Sequence, residues 1–95
     1  MYLVSTLFHT NRANRDEDIK LIEKEAKPLL AGSPGFKHYF WTAVGDREGL
    51  SVTVWDTEAH ARAALGKLDS WRTKHFGSII VGTPERHEGE VRVVG

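Results

Sequence analysis

Residues 2–9, YLVSTLFH, are rich in β-branched and aromatic types and alternate in character, which predicts a first strand. Past it the period lengthens. Ile19, Ile22, Ala26, Leu29 and Leu30 recur at helical spacing with lysines and glutamates opposite, the stripe of a helix lying on a core. Asn14 stands where an N-cap is needed, and Asp16, Glu17 and Asp18 put negative charge at the helix start. Pro28 is expected to loosen the last turn, and Gly32, Pro34 and Gly35 to end it.

The period then falls back to two. Phe36 to Val44 and Leu50 to Trp55 read as a hairpin around the turn GDREG. A turn symmetric about Arg47 sets Phe40 opposite Val54, Thr42 opposite Val52 and His38 opposite Asp56 on one face. Tyr39, Trp41, Ser51, Thr53 and Trp55 then share the other face. Asp56 or Thr57 caps a second helix from Glu58 to about Leu68, with Ala61, Ala64, Leu65 and Leu68 inward. DSWRTKHFG suggests a separate short helical turn ending at Gly77. Ile79 to Val81 and Glu90 to Val94 are short strand candidates on either side of the loop GTPERHEG.

Read in order, these elements give βαββαβ, the ferredoxin-like α+β arrangement: one antiparallel sheet with both helices on one face, in a single domain over residues 1–95. Both faces of the hairpin are apolar or aromatic. A sheet face left without helices would be polar if it met water, so the pattern predicts that a second copy covers it in a sheet-to-sheet homodimer.

Composition narrows the chemistry. Lys plus Arg and Asp plus Glu are 13 each, so no net field favours nucleic acid or an anionic membrane. The chain has no cysteine, hence no disulfide framework and no thiolate zinc site, which points to the cytoplasm. MYLVSTLFHT has neither the basic leader of a signal peptide nor the length of a membrane span. No G-x-S-x-G, phosphate-cradling glycine loop or spaced carboxylate pair occurs, so hydrolase and nucleotide-binding classes have no residue support.

SPGF after the first helix, SVTVWDT running into the second, and the total length together resemble the antibiotic biosynthesis monooxygenase family of short dimeric α+β barrel proteins. That resemblance implies the dimeric barrel and a cofactor-independent monooxygenase acting on a small aromatic or quinol-type molecule. In the quinone-forming members the pattern is an Asn and a Trp four residues apart on the third strand and a Tyr in the next helix. Trp55 matches the Trp, while Ser51 and Ala61 stand at the other two positions. The heme-degrading members imply another reading, with His75 near the position of the heme-ligating His. A further reading is a non-catalytic small-ligand-binding or stress-related dimer that keeps the fold without the chemistry.

Two uses compete for the paired tryptophans. Trp41 and Trp55 either fill the space between sheet and helices or form a flat wall for a planar ligand, with Tyr39, Ser51 and Thr53 as the polar groups that orient it. His38 beside Asp56 is a candidate oriented base, since a carboxylate fixes the imidazole tautomer and raises its basicity. His75 is a third catalytic candidate, or a residue complementing the helix dipole. His9, His60 and His87 have no partner at metal-ligand spacing, and no metal site is expected.

Overall fold

A computed structural model describes residues 1–95. Four antiparallel strands, β1 (Tyr2–His9), β2 (Phe36–Gly45), β3 (Glu48–Trp55) and β4 (Glu85–Glu90), lie in the order β2-β3-β1-β4. That is the ferredoxin-like sheet. Strand β1 alternates strictly: Tyr2, Val4, Thr6 and Phe8 are buried, and Leu3, Ser5, Leu7 and His9 half-buried. The buried set meets Ala26 and Leu30 from one helical segment, Ala61, Ala64, Leu65 and Leu68 from the other, and Trp55. The helices therefore cover one face only.

The first helical segment runs from Asp16 to Ala31 in three parts: α1 (Asp16–Leu21), a π-helical turn (Ile22–Ala26) and α2 (Lys27–Ala31). Backbone at the joints stays helical, so it is one rod with a widened middle. Pro28 explains the widening, because it supplies no N–H to the preceding carbonyls. Two expectations fail here. Arg15, not Asn14, occupies the N-cap, and it makes no side-chain cap. Asn14 instead ties the segment to the hairpin, donating Nδ2 to the carbonyls of Gly45 and Glu48 at 3.1 Å each. Ile19, expected inward, is exposed, because only the π turn and α2 press onto the sheet.

The hairpin keeps its predicted faces but slides by two residues. His38 faces Val54, Phe40 faces Val52 and Thr42 faces Leu50. The strands continue into a tight turn at Asp46 and Arg47, and irregularities at Phe36/His38 and Ala43/Gly45 absorb the difference. Because the shift is even, no side chain changes face.

Thr57 caps α3 (Glu58–Phe76), its hydroxyl accepting from the His60 N–H at 3.2 Å. The helix does not stop at Leu68: residues 69–76 continue it without a break. The last strand is also displaced. It occupies Glu85–Glu90, inside the expected loop, while Ile79–Val81 provides only an isolated bridge from Ile80 to Thr10 and Val91–Val94 forms no strand. ERHEGE is fully polar because β4 is an exposed edge whose order comes from pairing with β1, not from propensity. Its inward-facing Arg86 and Glu88 reach Asp69 and Arg62 of α3.

Candidate small-molecule site

Between the Gly49 end of the sheet and the second half of α3 lies a cavity of about 60 Å³. It is built in layers. Tyr39 and Trp41 of β2 rise from the sheet, and Gly49 of β3 gives the indole room: a Cβ there would lie 2.8 Å from Trp41 Cζ2. Trp71 and Phe76 of α3 close the opposite side, their rings 5.7 Å apart at 70°. Trp71 is fixed by its indole N–H, which donates to Glu25 Oε1 at 3.0 Å. Glu25 sits in the π turn, so the widened helix holds a wall of the cavity.

Arg72 supplies the charge. Its guanidinium lies 4.1 Å over the Phe8 ring, its side chain is only 11% exposed, and its carboxylate partner is Asp69 at 2.9 Å. Burial pulls its pKa down to about 10, opposed by Asp69 and Tyr39, with Arg86 adding to the fall. Conversely, burial pushes the Tyr39 phenol up while Arg72 draws it down. Tyr39 is thus a protonated hydroxyl beside a guanidinium. Asn14 also lines the cavity, and with both amide hydrogens spent on carbonyls its Oδ1 remains as an acceptor. Asp18, a further lining group, is held in a two-bond pair with Arg12 at 2.6 and 3.0 Å. That guanidinium keeps its carboxyl below the usual range.

The predicted ligand wall divides. Tyr39 and Trp41 line the cavity; Ser51, Thr53 and Trp55 lie farther along the same face, buried under the helices and outside the lining. Trp55 is fully buried and meets Phe36 edge-on at 5.7 Å, and neither its indole N–H nor the Thr53 hydroxyl has a partner. The predicted His38–Asp56 pair does not form. The two-residue slide leaves His38 exposed on the helix-free face, ring-stacked with Phe40 at 6.1 Å. Asp56 instead bonds His60 at 2.7 Å, which holds its carboxyl below the usual range. Gly35, at φ +79°, packs against that pair so closely that a Cβ would overlap Asp56 Oδ1. His75 stands behind Trp71, with Nε2 at 3.3 Å from Glu25 and the two rings 4.8 Å apart. His75 is not among the residues lining the cavity, and no group of three His, Asp or Glu converges on a metal position.

Sequence reasoning missed Arg72, Trp71, Phe76 and Phe8 as lining groups. A signal for three of them existed: the stripe Ala61, Leu65, Leu68 continues at helical spacing through Trp71 and Arg72 to Phe76 once α3 is not cut at Leu68.

No protein-family model matches the chain, and no curated protein matches it in sequence. Solved structures do match in fold. SnoaB from Streptomyces nogalater, a cofactor-independent oxygenase, is 17% identical, with 98% of this chain and 94% of that chain covered and a TM-score of 0.74. The monooxygenase ActVA-Orf6 of Streptomyces coelicolor, in complex with nanaomycin D, is 15% identical, covering 98% and 88% with a TM-score of 0.77. A candidate antibiotic biosynthesis monooxygenase from Chloroflexus aurantiacus J-10-fl is 20% identical, covering 98% and 95% with a TM-score of 0.62. The fold is that of antibiotic biosynthesis monooxygenase-type proteins. No helix is long and apolar enough to cross a membrane.

Proposed function

With that shared fold as the premise, we propose that the cavity binds a small phenol or quinol and that the protein oxygenates it without a cofactor. The observation that carries this reading is Arg72, a guanidinium held in apolar surroundings at the edge of an aromatic cavity. A cation so placed gains most from an anion that develops beside it, because the low local dielectric strengthens the attraction. A phenol that loses its proton to water becomes such an anion. Its electron-rich ring carbon is oxidised by dioxygen, a C–O bond forms, and a ring hydroperoxide results. Loss of the ring proton and cleavage of the O–O bond then release water and leave a quinone, so one phenol and one O₂ give one quinone and one H₂O. The residues have modest tasks: Trp41 and Trp71 flank the ring, Tyr39 and Asn14 offer a donor and an acceptor, and Arg72 holds the negative charge.

The direct test uses 4-nitrophenol, whose absorbance reports its ionisation. Bound to the wild type it should ionise at lower pH than in water, and Arg72→Met should remove that shift; an unchanged or raised pKa in the wild-type complex would refute the proposal. A second reading, ligand binding without oxygenation, is favoured by the burial of Trp55 outside the cavity lining. Oxygen uptake with 1-naphthol separates the two: binding without uptake selects the second.

We also propose that the helix-free face meets a second copy. Phe40 is 61% exposed there beside Leu3, Leu7, Leu50 and Val52, an apolar surface with no covering element in the chain. Light scattering at micromolar concentration should give twice the 10.7 kDa chain mass, and Phe40→Lys should give the monomer. A monomeric wild type would refute the pairing.

A further inference from the structure

The cavity of about 60 Å³ is tight for an aromatic ring, since an apolar protein cavity that takes benzene has about 150 Å³. One wall must give way for a phenol to enter. Most of the lining is held from several sides: Phe8 and Leu68 are buried in the core, Arg72 packs over Phe8 and donates to Asp69, and Trp41 rests against Gly49. Trp71 is the exception. Its indole is half-buried, meets Phe76 edge-on, and makes a single hydrogen bond, from its N–H to Glu25 Oε1 at 3.0 Å. Because the indole is rigid, a rotation that carries the ring away from the cavity also carries the N–H off the carboxylate. Opening this wall and breaking that bond are one event.

Glu25 is placed to let go. Its side chain is 39% exposed, and His75 Nε2 stands 3.3 Å from the same Oε1 that accepts from Trp71. When the indole leaves, that oxygen still has water and the imidazole within reach, so the bond costs less to break than an enclosed one. The π turn supplies both parts of the arrangement: Glu25 holds the indole, and Ile22 of the same turn lines the cavity. Glu25 itself is not a lining residue.

Resting on the function proposed above, we infer that Trp71 is the movable wall of the site and Glu25 its latch, a positioning residue that sets the cost of admitting a ring. The ligand exchanges the Trp71–Glu25 hydrogen bond for its own contact with the displaced indole. Its affinity is then the intrinsic one reduced by the fraction of molecules whose latch is open. Removing the latch without touching the lining therefore tightens binding, the opposite of what losing a structural support would do.

The test titrates 4-nitrophenol into the full-length wild type, Glu25→Ala and Glu25→Gln at one pH. Glu25→Ala should bind about three- to tenfold more tightly, because a hydrogen bond to a charged group no longer has to be broken. Glu25→Gln keeps an acceptor for the indole and should stay within about twofold of the wild type. In ¹⁵N-labelled wild type, saturation should move the Trp71 indole ¹⁵N signal upfield as its N–H leaves the carboxylate, a measurement that stands by itself if Glu25→Ala does not fold. Three results overturn the inference and leave the cavity reading standing: unaltered or weaker binding by Glu25→Ala, an equal gain in Glu25→Gln, which would assign the effect to lost negative charge, or a Trp71 signal without the upfield move. Failure of 4-nitrophenol to bind any of the three proteins overturns both.

Discussion

Truncating Trp55 and Trp41 separately distinguishes a core from a cavity wall on one sheet face. Trp55 is wholly enclosed, so Trp55→Ala leaves a void whose cost for a buried Trp is about 3–5 kcal/mol. Part of this is offset, because the indole N–H has no partner and an orphaned donor already costs the native state about 1–3 kcal/mol. The net loss is about 2 kcal/mol, and at ~4–8 °C per kcal/mol for a domain of this size Tm should fall by about 8–16 °C. Trp41 has protein on one side and cavity on the other, so its ring forfeits fewer contacts: about 1–1.5 kcal/mol, or ~5–10 °C. Thermal melts followed by far-ultraviolet circular dichroism, with urea titrations to confirm an unchanged m-value, measure both. Ligand affinity should reverse the order, falling steeply for Trp41→Ala and little for Trp55→Phe, which keeps a ring against Phe36. A Trp41→Ala variant that melts as low as Trp55→Ala would refute the division of this face.

Three further outcomes follow from the geometry. Gly49→Ala should push the Trp41 indole into the cavity, costing about 1–3 kcal/mol in overpacking and weakening phenol binding; unchanged binding would show that the indole is not seated on Gly49. Asp18 has its folded pKa lowered by Arg12, so its contribution is present above the ordinary value of 3.8 and is lost as pH falls through the lower folded value. Asp18→Asn should therefore lower Tm at pH 7 and match the wild type in strong acid, and a pH-independent difference would contradict this. Gly35→Ala should lower Tm through its positive φ and its overlap with Asp56, and an unaltered melt would contradict the close approach.

What the sequence made legible follows from which physical signal each element obeys. The strict period of β1 and the stripe from Ile22 to Leu30 are burial patterns, and both meet the core where the pattern puts them, whereas Ile19 at the head of the stripe is exposed. The hairpin faces were readable for the same reason, whereas its register depends on a turn whose tightness the composition GDREG does not specify. Strand β4 carries no apolar signal because it is an edge ordered by β1. The site was half visible. Tyr39 and Trp41 announce themselves as amphipathic rings on one face, but Arg72 reads as an ordinary helix surface residue until Phe8 and Asp69 are brought against it. Trp55 shows the converse: of its two open uses, filling the space between sheet and helices or forming a ligand wall, its enclosure fits the first, with its N–H left unpartnered.

The central claim is that the space between Trp41, Trp71 and Arg72 receives a small phenol. Titrating ¹⁵N-labelled protein with 4-nitrophenol, and following the indole N–H signals of Trp71 and Trp41 together with Nε–H of Arg72, tests it most directly. The account predicts saturable shifts of these three signals with the Trp55 indole unmoved; shifts confined to the His38 and Phe40 face, or none at all, would contradict it.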